Sequence, residues 1–226
     1  MSLIVEDKKV LEVKNLAAYY QEGRVRRQIL DNVSFTLHEG ETVGLLGPSG
    51  SGKTTLCKAI LGLLKDYDGQ VLHHTPLPQM VFQDPYSSLN PQKTIGWQLE
   101  EPLKMLKVAK AKRYQQVKAV LEQVQLPADF YERYPHQLSG GQRQRVSIAV
   151  ALITGTKFIL ADEPLSALDV TVQAQIIELL QHLQKTKRLC MLLVSHDIDV
   201  IQILCERVLV IDGTQVVEKH RNTPKK

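Results

Sequence analysis

Long hydrophobic runs, paired cysteines and internal repeats are all missing from this 226-residue sequence. No apolar stretch approaches the ~20 residues that a bilayer-spanning helix needs. Residues 1–7, Met-Ser-Leu-Ile-Val-Glu-Asp, lack the basic region followed by an apolar core that marks an export leader. The chain is therefore expected to stay in the cytoplasm. Cys57, Cys190 and Cys205 stand far apart, at neither metal-ligand spacing nor the even count of a disulfide framework, so each is expected to be a buried, reduced thiol. Charge imbalance is small, with a formal net charge of +4. Basic residues do gather at Lys104, Lys107, Lys110, Lys112, Arg113 and Lys118, and again at His220, Arg221, Lys225 and Lys226. Such runs read as solvated faces, and no nucleic-acid partner is expected.

What is present is the composition of an ordinary globular protein, 43% apolar and 23% charged, in a chain long enough to bury one large core. Residues 10–16 and 33–37 alternate apolar and polar side chains, the pattern of half-exposed antiparallel strands, with Tyr19 and Tyr20 in a polar, Arg-rich loop between them. From Thr42 the pattern changes. The runs at 43–46, 158–161, 191–194 and 208–211 are short and continuously apolar, as parallel strands covered on both faces by helices are. Helices are predicted over 54–64 and 170–183, the latter with a core stripe of Val172, Ile176, Leu179, Leu180 and Leu183. Residues 208–217 read as a hairpin turned at Asp212-Gly213, and 223–226 as a frayed end. Between residues 84 and 135 stand Pro85, Pro91, Pro102, Pro127 and Pro135, separated by amphipathic segments with no convincing buried strand. The expectation is an α/β core, residues 1–83 and 148–220, behind an N-terminal antiparallel region and carrying a helical subdomain over 84–147.

The stretch Gly47-Pro48-Ser49-Gly50-Ser51-Gly52-Lys53-Thr54-Thr55 follows one of these apolar runs and precedes a helix. A chain that wraps around phosphate oxygens must turn successive backbone N–H groups inward, which residues without a Cβ allow. The loop then delivers the anion to a helix N-terminus, where Lys53 can reach the β- and γ-phosphates and Thr54 can place its hydroxyl on Mg²⁺. A P-loop nucleotide site of the RecA-like type, binding ATP with Mg²⁺, is the reading. A second element, Phe158-Ile159-Leu160-Ala161-Asp162-Glu163, ends an apolar strand in two carboxylates. Alone, such a pair can be a helix cap and dipole partner. Beside a P-loop, Asp162 suits the Mg²⁺ shell and Glu163 suits a base that polarises the attacking water.

A third element, Leu138-Ser139-Gly140-Gly141-Gln142, is another Gly-rich turn opening a helix, hence another anion-binding terminus for which one protomer has no obvious use. Here the sequence resembles the ATP-binding-cassette family, whose signature is Leu-Ser-Gly-Gly-Gln, over nearly its whole length. The resemblance implies a head-to-tail pair of cassettes in which the signature turn of one covers ATP on the P-loop of the other. It further implies that Tyr20 stacks on adenine, that Gln83 senses the γ-phosphate and metal, that Asp169 of Ser166-Ala167-Leu168-Asp169 lies in a dimer-contact loop, and that His196 is a γ-phosphate switch. On the residues alone, Tyr19 competes with Tyr20, Gln83 could be a polar cap, and His196 could be a satisfied structural histidine.

Residues 82–91, with Thr94-Ile95-Gly96 and Glu101-Pro102-Leu103, resemble the peptide and nickel importer branch, and phosphonate-breakdown ATPases share much of that pattern. Val150 stands where the family usually has Arg, and the absence of the C-terminal extension of many peptide importers tilts the expectation toward the nickel or metal-chelate type. The implied protein is a transport-coupled ATPase, peripheral at the cytoplasmic face of the cell membrane. Its implied partners are integral membrane permease subunits, a second ATPase subunit that is a copy or a sister, and an extracytoplasmic solute-binding protein. An accessory ATPase of phosphonate metabolism is the alternative.

Overall fold

A computed structural model describes residues 8–23, 25–76 and 78–220. Residues 1–7, read above for a leader, and residues 221–226, read as a basic, frayed end, lie outside the described residues. Two long strands open the chain, β1 (Lys9–Glu22) and β2 (Val25–His38), paired antiparallel. With β4 (Tyr67–His73) they form a sheet in the order β2-β1-β4. Tyr19 and Tyr20 are therefore strand residues opposite Gln28 and Arg27, not loop residues. The alternation in 10–16 simply continues past the polar stretch, because ladder hydrogen bonds and the stack of Arg26 on Tyr19 hold even an Arg-rich strand in register.

The second sheet is built from β3 (Thr42–Leu46), β5 (Gln79–Val81), β6 (Phe158–Asp162), β7 (Cys190–Val194), β8 (Arg207–Asp212) and β9 (Gln215–His220). Its order is β5-β6-β7-β3-β8-β9, parallel except for the last pair, a hairpin closed where Asp212 faces Gln215. The four continuously apolar runs are all in this sheet, as their two-sided burial requires. Alternation along them divides the core. Phe158, Leu160, Leu192 and Val194 enter one cluster, against the three-stranded sheet and helix α1 (Lys53–Ile60). Ile159, Ala161, Met191 and Leu193 enter the other, against the helices of the opposite face. Each such side chain contributes about 1.5–3 kcal/mol by burial.

Between β5 and β6 the described elements are helical: α2 (Pro85–Ser88), α3 (Ile95–Met105), α4 (Lys110–Gln123), two 3₁₀ turns at Ala128–Glu132 and Pro135–Gln137, and α5 (Gly140–Leu152). Then α6 (Val170–Lys187) and α7 (Ile198–Leu204) cover the parallel sheet. Helix α1 stops four residues before the predicted end, and α6 runs four beyond it. Strands β4 and β5 and helix α7 are additions to the sequence reading. Val150 packs against the core. All three cysteines are buried and none is in a disulfide, and burial pushes the Cys57 thiol up to about 12.

Candidate functional site

The P-loop is the link from buried β3 to α1. Gly52 caps α1 with φ at 106°, a left-handed backbone that a side chain would resist. It is also pressed onto β2, since a Cβ there would stand 3.0 Å from Ile29 Cγ2. No side chain caps the helix, so its first N–H groups stay available to an anion. Lys53 folds back along the loop, its Nζ donating to Gly47 O at 2.7 Å and Pro48 O at 3.0 Å. Ser51 donates its N–H to Pro48 O at 3.2 Å, while its Oγ is buried with no hydrogen-bond partner. An orphaned hydroxyl in a Gly-rich loop that opens an uncapped helix fits the donor set of an anion cradle.

Facing the loop is the end of β6. Burial chiefly, and then the charge of Glu163, push the Asp162 carboxyl above the usual carboxylate range, with Lys53 opposing. Glu163 leaves the strand with φ at 46°, held there by its N–H donating to Val194 O at 2.8 Å and by Ser166 Oγ donating to its carbonyl at 3.1 Å. The turn sets Glu163 against His196, whose Nδ1 lies 3.1 Å from Glu163 Oε1. The His196 side chain is 71% exposed, so it is not a satisfied core histidine. Asp197, capping α7, and Ser195, whose Oγ accepts from Asp197 N at 3.0 Å, set the turn that presents it.

A cleft of about 390 Å³ joins these parts, lined by Ser49, Gly50, Gly52, Lys53, Thr54 and Thr55 of the loop and helix, Gln83 after β5, Asp162 and Glu163 after β6, and Tyr20 and Ile29 from the hairpin. The β1–β2 pairing settles which tyrosine lines it. Tyr20 does, while Tyr19 points to the other side, under the Arg26 guanidinium at 3.5 Å and hydrogen-bonded to Asp68. Gln83 does not cap α2; Asp84 does, accepting from Tyr86 N at 2.8 Å. Ile29 was not among the predicted residues, since its place in the cleft depends on a strand pairing that nothing local announces. Thr54, Gln83 and Asp162 supply oxygen donors to one cleft, and no cluster of three His, Cys, Asp or Glu that could hold a metal occurs among the described residues. So sparse a set fits Mg²⁺, which keeps its waters and takes few protein ligands, and fits no cage-bound metal.

The second Gly-rich turn is elsewhere. Ser139 caps α5 in a reciprocal box, its Oγ accepting from Gln142 N at 3.3 Å and its N–H donating to Gln142 Oε1 at 2.9 Å. Gly140 packs near Leu168, and a Cβ at Gly141 would come within 2.4 Å of Val172 Cγ1. Asp169 caps α6 by accepting from Val172 N at 3.0 Å, which places the 166–169 loop beside this turn. Ser139, Gly141 and Gln142 line a separate cavity of about 440 Å³ that shares no residue with the first. One protomer thus holds two helix N-termini opened by Gly-rich turns, and the two line separate cavities.

Comparison with known proteins identifies the family. The family described as ABC transporter matches residues 30–166. A Brucella ovis protein with the provisional name peptide import ATP-binding protein is 44% identical, over 92% of this chain and 71% of its own. The oligopeptide transport ATP-binding protein OppF of Bacillus subtilis is 41% identical, over 93% of this chain and 75% of its own. A solved dimer of an ATP-binding cassette, in a post-hydrolysis state with ADP and phosphate, superimposes with a TM-score of 0.78 at 32% identity, over 93% of this chain and 98% of that one.

Proposed function

The chain belongs to the ABC transporter family as an ATP-hydrolysing cassette, and from that premise we propose that it is a peripheral subunit powering uptake of peptides. The peptide reading takes its support from the names of the two relatives and from residues 82–91; a nickel or metal chelate is the competing cargo. The partners are a pair of membrane permease subunits, a second cassette that is a copy or a sister, and a solute-binding protein on the far side. No helix of the described residues is long and apolar enough to cross a membrane, and in this reading the permease holds the subunit at the cytoplasmic face.

Each residue then has a role. Gly47, Pro48, Ser49, Gly50, Ser51 and Gly52 turn backbone N–H groups toward the phosphates, with Thr55 anchoring the first turn of α1. Lys53 exchanges its two loop carbonyls for β- and γ-phosphate oxygens, and Tyr20 stacks on the base at the hairpin end of the cleft. Thr54, Gln83 and Asp162 are the residues that would hold magnesium, which when bound would neutralise phosphate charge. Glu163 accepts a proton from water as its oxygen attacks the γ-phosphorus and the bond to ADP breaks. His196, 3.1 Å from Glu163, orients that carboxylate and reaches the γ-phosphate. Ser139, Gly140, Gly141 and Gln142 close over the nucleotide of the other cassette, with Asp169 in the contact loop. Residues 1–83 and 148–220 act as the nucleotide-binding core and 84–147 as the subdomain that carries the signature.

The observation that carries this reading is the separation of the two cavities: a cleft with loop, base and metal donors but no second anion cap, and a spare cap with no loop. Replacing Ser139 with Arg tests it. ATP affinity of the isolated subunit should be unchanged while hydrolysis in the assembled transporter stops, and undiminished turnover there would refute a shared site. Peptide-stimulated turnover of the reconstituted complex, against none with nickel chelates, identifies the cargo.

A further inference from the structure

The first turn of α5 buries a cation that the hydrolytic chemistry leaves unused. Arg143 is 7% exposed, and its partners are a carbonyl and a ring rather than a carboxylate. Nε and Nη2 both donate to Leu138 O, at 3.0 and 2.6 Å. The guanidinium carbon lies 3.5 Å from the centre of the Tyr86 ring. Leu138 immediately precedes Ser139, so one face of this contact grips the backbone where the signature turn begins. Tyr86 belongs to α2, whose cap Asp84 directly follows the cleft residue Gln83. A single planar cation therefore spans two segments, one starting at the nucleotide cleft and the other at the signature turn. Only an arginine can fork onto an oxygen and stack on a ring with the same plane.

We propose that Arg143 is a positioning residue that couples the nucleotide cleft of one protomer to the angle at which its own signature turn meets the other cassette's ATP. A shift at Gln83 moves α2 and the Tyr86 ring; the ring carries the guanidinium, and the guanidinium carries the Leu138 carbonyl. The polar groups here are poised for a second arrangement. Arg143 Nη1 is buried without a partner, and both amide atoms of the fully buried Gln144 beside it are unpaired as well. Adjacent orphaned groups in a buried site call for an explanation, and a second arrangement of the packing supplies one here. In the closed pair these atoms find partners, so closure tightens the turn that the cleft has moved. This inference rests on the shared-site reading above.

Tyr86 is the convenient handle because its ring is 65% exposed and its loss leaves no core cavity. Tyr86→Ala, Arg143→Lys and the double variant are assayed for ATP affinity as isolated subunits, and for co-purification and ATP turnover in the assembled transporter. Affinity and co-purification are expected to match the parent. Turnover should fall about 2- to 30-fold in each single variant, the range for loss of a coupling residue. The double variant should be no slower than the worse single, and Tyr86→Phe, which keeps the ring, should recover parental turnover. Losses that multiply in the double variant, a Tyr86→Phe as slow as Tyr86→Ala, or a loss that tracks failure to co-purify would each overturn the coupling. If Ser139→Arg stops turnover while Tyr86→Ala and Arg143→Lys run at parental rate, the coupling alone fails; if Ser139→Arg is itself harmless, the shared site fails first.

Discussion

Glu163→Gln separates chemistry from stability in one substitution. The side chain keeps its shape and its hydrogen-bonding reach toward His196 Nδ1 at 3.1 Å, and it loses its charge and with it the ability to take a proton. Losing a positioned general base costs about 10²- to 10⁴-fold, or roughly 3–5 kcal/mol of transition-state stabilisation. The effect on folding is much smaller. The His196 side chain is 71% exposed, so the pair is solvent-screened and contributes at most about 1 kcal/mol. In a chain of this size that moves the melting temperature by about 2–4 °C. Neighbouring Asp162 should respond as well. Burial is the larger reason its carboxyl titrates high and the Glu163 charge the second, so neutralising Glu163 lowers the Asp162 pKa and leaves it more fully ionised for the metal. The variant should therefore bind Mg-ATP at least as tightly as the parent, melt within a few degrees of it, and release phosphate at a background rate. Phosphate release from the assembled complex, nucleotide titration and thermal melting measure the three. Turnover within about tenfold of the parent would refute the base assignment, and a collapse in melting temperature would refute the solvent-screened pair.

The remaining expectations are simpler. Because the Asp162 carboxyl titrates above its ordinary 3.8, the nucleotide-free fold holds that proton more tightly than the unfolded chain does; stability contributed by this site is full below the unfolded value, is lost as pH rises through the raised folded value, and stays lost above it. Asp162→Asn should then have a urea midpoint at or above the parent's at neutral pH, with the difference closing in acid, while Mg-dependent turnover disappears; a lower midpoint at neutral pH contradicts the sign. Tyr20→Ala should weaken ATP binding by roughly 5- to 150-fold, the effect of losing a base stack of ~1–3 kcal/mol. Tyr19→Ala should leave affinity alone, and equal losses from both would contradict the division of the two rings between cleft and Arg26. Gly52→Ala forces a side chain into a backbone at φ 106° and a Cβ to 3.0 Å from Ile29 Cγ2. It should cost about 1–3 kcal/mol of stability, read as a fall in melting temperature, together with nucleotide binding.

Much of the chemistry is local in sequence and was legible there. The P-loop, the Asp162-Glu163 pair and the signature are each contiguous because each is a single turn at the end of a strand or the start of a helix. The four apolar runs announce strands covered on both faces, because residues of either parity then meet a core. Less was visible wherever partners are distant. Strand β5 is a three-residue edge too short for a pattern, and β4 draws its register from β1 rather than from its own side chains. The continuation of β1 through Tyr19 and Tyr20 was hidden by polar residues that pair across the hairpin.

The sequence by itself marked two Gly-rich turns and two acids, and by family resemblance a histidine, as candidate parts of one ATPase, since spacing within a turn is a local property. Only the tertiary structure decided how they are shared out. Strand pairing chose Tyr20 over Tyr19 and added Ile29, the positive φ of Glu163 aimed it at His196, and packing of α5 against Val172 set the signature turn apart from the cleft. These outcomes depend on contacts between segments far apart in the chain, whose geometry no single stretch encodes.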